Sequence, residues 1–171
     1  MKVIYLASFK ALHTNYDIVY QDINGKRDLG GDMLDIDLTP YDVIIATPPC
    51  NFYSKARGNR KPSEYALQTK HLLPSILQKC LNLGKPFLIE NVINKKLMID
   101  VIKLAPHLYF EHGRHAYFSN IKFDYKTIPQ TYDYSYGGYQ INPKNNQGGE
   151  NVHHVIEGFL KQVKENSDGQ K

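Results

Sequence analysis

The chain has no tryptophan, only two cysteines in 171 residues, and no apolar run long enough to span a bilayer. Cys50 and Cys80 do not make the disulfide framework of a small secreted domain, so a reducing, cytoplasmic setting is expected. No secretory leader is read at the start, and no membrane partner is expected. Neither sign of charge dominates: 21 basic against 17 acidic residues leave a formal charge of +4. That mild excess permits nucleic-acid binding without requiring it. No internal repeat is visible, which excludes a solenoid or propeller.

What is present suits one globular domain, with 42% hydrophobic and 22% charged residues. The reading is a single domain over 1–163 and a polar, disordered tail over 164–171. Short β-branched runs alternate with helical patterns, which predicts an α/β fold with a mainly parallel sheet. Lys2 to Phe9 and Tyr16 to Ile23 read as the first two strands. Too few residues separate them for a crossover helix, so the first unit is abbreviated. A helix opens at Ser63-Glu64-Tyr65, where Pro74 is expected to bend or divide it and Gly84 to cap it. Cys80 lies on its apolar face and reads as core. A second helix spans Lys95 to Leu104. Tyr109 to Ile121 alternates toward strand and carries Arg114. Gly148 to Val152 reads as a turn into a helix ending at Val163.

Two of these segments carry chemistry. Tyr41 to Ala46 is a short apolar run of the kind buried on both faces of a parallel sheet. Thr47-Pro48-Pro49 ends it, because proline supplies no backbone donor and fixes φ. Cys50 is therefore held in one orientation at a strand's carboxyl end, where open α/β sheets bind ligands. A plain loop cysteine after a proline turn fits the local sequence equally well. Lys85 to Val92 is a matching strand that delivers Glu90 and Asn91 at the same sheet edge. A nucleophile and a carboxyl acid or base can then share one pocket.

Pro48-Pro49-Cys50 followed by Glu90-Asn91-Val92 resembles the cytosine-5 DNA methyltransferase family. The resemblance implies a Rossmann-like methyltransferase fold, S-adenosylmethionine as cofactor and DNA as partner. Cys50 would attack carbon 6 of a flipped-out cytosine, and Glu90 would hold and protonate ring nitrogen 3. Asn91 would orient Glu90 or the loop bearing Cys50, and Arg114 would help hold the base. Phe9, Asp22, Asp32, Pro48 and Asn151 fall where the family holds its cofactor. Asp22 would bind the ribose and Asp32 the adenine amino group; taken alone, Asp32 is equally an exposed loop carboxylate. Ser54, Lys55, Arg57 and Arg60 lie in the basic loop that the family closes over its DNA, and a solvated surface loop remains the other reading.

The chain departs from the family in three places. No glycine follows the first strand, where the family has a glycine-rich turn under its cofactor. Arg114 stands alone, with His115 where a second arginine is expected. The interval after Lys122 is too short for a target-recognition domain, so DNA would be read weakly or as a single strand. Its tyrosines, Tyr132, Tyr134, Tyr136 and Tyr139, either stack on bases or pack a loop. His107, His112 and His115 are spaced too loosely to read as a zinc set, so no metal is expected. Two other functions stay open: a catalytically silent scaffold that binds DNA or protein, and an enzyme acting on free cytosine nucleotides.

Overall fold

Six short runs of β-branched and aromatic residues form one sheet: β1 (Lys2–Leu6), β2 (Asp17–Tyr20), β3 (Val43–Ala46), β4 (Phe87–Val92), β5 (Tyr109–His112) and β6 (His115–Ser119). The computed structural model describes residues 1–8, 12, 14–55, 60–128 and 147–169, with the side chains of the last segment described from Val152 onward. The strand order is β2-β1-β3-β4-β6-β5. β1 to β4 run parallel, and β6 is antiparallel to both β4 and β5. This is a mixed, mainly parallel α/β sheet of Rossmann-like kind.

Strand residues feed two cores alternately, because successive side chains leave opposite faces. Ile4, Leu6, Ile44, Ala46, Phe87 and Ile89 pack with α2 (Leu72–Leu83) and α3 (Lys95–Leu104). Val3, Tyr5, Val43, Ile45, Leu88 and Tyr117 pack with α4 (Gln147–Asp168). The helices bury matching stripes, Leu73, Ile76, Leu77 and Cys80 on α2 and Val152, Val155, Ile156, Phe159 and Leu160 on α4. Each such side chain contributes about 1.5–3 kcal/mol on burial.

The helix expected from Ser63 is divided, as its proline implied. Ser63 caps α1 (Glu64–Thr69) by accepting from the Ala66 N–H at 3.2 Å. Pro74 falls in the first turn of α2, so Lys70, four residues earlier, loses the donor a continuous helix would give it. The Tyr53 hydroxyl takes that carbonyl at 2.8 Å and thereby ties the turn after Cys50 to the helix break. Gly84 ends α2 at φ 69, its N–H donating to the Cys80 carbonyl. The described residues between β1 and β2 carry no helix, in keeping with an abbreviated first unit.

Three sequence expectations need correction. The run from Tyr109 to Ile121 is a hairpin of two strands, β5 and β6, and Gly113 at φ 59 turns it, so Arg114 stands in the turn and not on a strand. Gly148 to Val152 is already helical, since α4 starts at Gln147. The same helix continues to Asp168, which orders most of the tail expected over 164–171.

Candidate active site

The strand order reverses between β1 and β3: the chain leaves β1 for β2 on one side and returns to its other side as β3. Connections diverge at such a switch point and leave a crevice at the carboxyl ends. A cavity of about 750 Å³ opens there. It is lined by Asp22, Asp32 and Pro48 from the expected cofactor residues, and by Cys50 and Glu90 from the expected reactive ones.

The glycine missing after β1 is replaced by an unusual alanine. Ala7 sits at φ 50, a left-handed conformation that glycine normally supplies. Three contacts hold it. Gln21, buried at the end of β2, accepts from the Ala7 N–H at 2.8 Å. The Thr47 hydroxyl donates to the Ala7 carbonyl at 2.8 Å. The next residue, Ser8, donates its N–H to the Gln21 carbonyl at 3.0 Å. The Gln21 amide also donates to the Gly31 carbonyl at 2.5 Å, which docks the loop bearing Asp32 against the same turn. The loop packs tightly on itself: a Cβ on Gly30 would lie 3.0 Å from the Gly25 Cα, so a side chain there would push the two strands of the loop apart by a few tenths of an ångström.

Both aspartates are committed locally as well as lining the cavity. Asp32 Oδ1 accepts from the Leu34 N–H at 2.9 Å, and Asp22 Oδ1 from the Asn24 N–H at 3.4 Å. Each carboxylate keeps a second oxygen for other donors. Ile23 and Tyr65 are exposed at 67% and 51% and line the same cavity, which gives it apolar and aromatic surface.

Cys50 follows the proline pair in a tight turn, its carbonyl accepting from the N–H groups of Tyr53 and Ser54 at 2.9 and 2.8 Å. Burial, then the nearby Glu90 carboxylate, push its thiol above the usual range. Cys80 is fully buried, and its thiol is pushed up to about 12. Asn91 is buried behind the cavity, its amide donating to the Pro48 carbonyl at 3.0 Å. Asn94 donates to the Tyr53 carbonyl at 2.9 Å. The segment after β4 therefore fastens both sides of the turn that carries Cys50.

Glu90 is 9% exposed, and its Oε1 lies 2.5 Å from Nδ1 of His115. His115 lines the cavity; Arg114, its neighbour in the hairpin turn, is exposed and does not. Lys55 and Arg60 are exposed and Ser54 is half-buried, and none of the three lines the cavity. Phe9, Arg57 and the side chain of Asn151 lie outside the described residues. Val152 is the described α4 residue at the cavity wall.

Sequence reasoning missed Gln21 and Thr47, which build the first turn, and took His115 as a loose metal candidate standing where a second arginine was expected. Period-two alternation held the missing signal for His115: it shares a face with Tyr117, and Arg114 does not. Compared with known proteins, the chain matches no family model and no curated sequence. Among the described residues no helix is long and apolar enough to cross a membrane.

Proposed function

We propose that this chain is a compact S-adenosylmethionine-dependent DNA cytosine-5 methyltransferase with Cys50 as nucleophile. The observation that carries the reading is that Cys50, Glu90, Asp22 and Asp32 all line one cavity at the sheet's switch point. Cytosine would have to leave the duplex stack to reach Cys50, since carbon 6 is inaccessible inside it. Cys50 first gives its thiol proton to water; the thiolate sulfur then bonds to carbon 6, the ring double bond shifts to join carbons 4 and 5 as an electron pair passes onto ring nitrogen 3, and Glu90 supplies the proton to that nitrogen. Carbon 5 thereby becomes the nucleophile.

Asp22 and Asp32 would hold the cofactor's ribose and adenine, and Ile23 and Tyr65 would cover its apolar surface. The cavity suits such a ligand in its mix of carboxylates with apolar and aromatic walls. When bound, S-adenosylmethionine supplies an electrophilic methyl group on a positively charged sulfur. Ala7 in its left-handed conformation gives the turn after β1 the backbone path that a glycine would, which supports a ligand site there.

A second reading, a silent scaffold that binds without reacting, draws on one observation: burial and Glu90 both disfavour the Cys50 thiolate. Calorimetric titration with S-adenosylmethionine and S-adenosylhomocysteine tests the proposal, with Asp32→Ala beside it. Micromolar binding, weakened about tenfold by the substitution, supports the methyltransferase. Absence of binding at millimolar ligand overturns it.

A further inference from the structure

Glu90 and His115 meet because of strand register. In the antiparallel pair, Glu90 lies opposite Tyr117 and Val92 opposite His115, so Glu90 and His115 are diagonal neighbours on one face of the sheet. Their side chains are 11% and 18% exposed, and both line the cavity. The 2.5 Å separation occupies Glu90 Oε1 and leaves Oε2 for a ligand. A carboxylate oxygen only accepts, so Nδ1 of His115 must carry hydrogen when Glu90 is ionised.

Among the described residues, His115 is the side chain hydrogen-bonded to Glu90. Tyr117 on β6 is fully buried, and among the described residues its hydroxyl has no hydrogen-bond partner. Tyr5 on β1 is fully buried and near enough for the Glu90 charge to act on its phenol, as the charge also acts on the Cys50 thiol beyond β3. His112, from β5, is the next ionisable group beyond His115 and is 2% exposed. From α4, the described wall residue is Val152, which carries no charge.

We propose that His115 is the positioning residue for Glu90: its Nδ1–H fixes the carboxyl so that Oε2 faces the base, and holds the carboxylate left behind when Glu90 gives up its proton. This rests on the methyltransferase reading. In the step, the Glu90 O–H bond breaks, its proton goes to ring nitrogen 3, and the electron pair stays on the carboxylate. The Nδ1–H of His115 stabilises that new charge in a site largely shielded from water. A histidine does here, through the acid, what a guanidinium contacting the base directly would not. The side chain that reaches the acid is the one the strand register selects, and Arg114 is exposed in the hairpin turn.

The test compares wild type with His115→Phe, which keeps a ring but no donor, and His115→Asn, whose amide offers an N–H near the Nδ1 position. Covalent trapping by an oligonucleotide containing 5-fluorocytosine, with S-adenosylmethionine present, should slow about 100-fold in His115→Phe. His115→Asn should recover to within about tenfold of wild type. S-adenosylhomocysteine affinity should stay put in both, and the alkaline limb of the rate profile should move to higher pH in His115→Phe. Nitrogen NMR of the imidazole should report hydrogen on Nδ1 in the wild type, whether or not the protein turns over. A His115→Phe rate equal to wild type, a uniform loss with an unmoved pH limb, or an Nε2–H tautomer overturns the inference alone. A wild type that binds no cofactor and traps no oligonucleotide overturns the methyltransferase reading and this inference with it.

Discussion

The side chain of Gln21 accepts from the backbone N–H of Ala7 at 2.8 Å and donates to the Gly31 carbonyl at 2.5 Å, so one buried amide joins the turn after β1 to the loop that presents Asp32. Those contacts hold a non-glycine residue at φ 50 beside the cavity. Gln21→Ala should strand a part-buried donor and acceptor and cost about 1 kcal/mol in denaturant unfolding. Ala7→Gly should be tolerated and gain up to about 1 kcal/mol, since it relieves the left-handed alanine. A large loss in Ala7→Gly would show that the methyl group packs usefully.

Cys50 should react slowly with iodoacetamide at neutral pH, because a thiol pushed above its usual range has little thiolate there. Glu90→Gln removes the nearby negative charge, so the thiolate fraction at pH 7 rises and alkylation should speed up several-fold. Cys80 is fully buried and should stay unlabelled in the folded protein, which makes mass spectrometry of the single adduct a clean readout. In parallel, Cys50→Ser should abolish 5-fluorocytosine trapping. Trapping that persists in Cys50→Ser removes Cys50 from the mechanism.

DNA affinity of Lys55→Ala combined with Arg57→Ala should depend less steeply on salt than that of wild type. Each lost phosphate contact lowers the logarithmic slope by about 0.7–0.9. Fluorescence anisotropy across a salt series checks this, and an unchanged slope would leave the segment as a solvated surface.

His112 is held below the usual histidine range, first by burial and then by His115. The unfolded chain therefore takes a proton, near pH ~6.5, that the folded one resists. Stability should be level above that pH, fall as the pH drops below it, and level off below the folded protein's own lower value. His112→Phe keeps a ring against Tyr125 and should remove this part of the acid sensitivity. Denaturant midpoints measured from pH 8 to 5 decide it; parallel curves for the two proteins would assign the sensitivity elsewhere.

A bend or division of the helix before Pro74, the cap at Gly84 and the helix over Lys95 to Leu104 were legible because proline, glycine and the spacing of apolar residues act within a turn or two of themselves. The strand that ends in Thr47-Pro48-Pro49 was legible for the same reason, and so was the placement of Cys50 at its carboxyl end. The tail was misjudged because α4 is anchored by apolar residues that precede it, and its polar end propagates from that anchor.

Residues far apart in sequence meet for reasons no local pattern carries. Gln21, Thr47 and Ala7 come together only because β2, β1 and β3 lie side by side, and that adjacency lets an alanine occupy a glycine's conformation. Arg114 and His115 are neighbours, and the one-dimensional reading chose Arg114. The turn at Gly113 and the register of β6 on β4 place one outside the cavity and the other against Glu90. A shift of one residue in that pairing would exchange them, because strand side chains alternate faces.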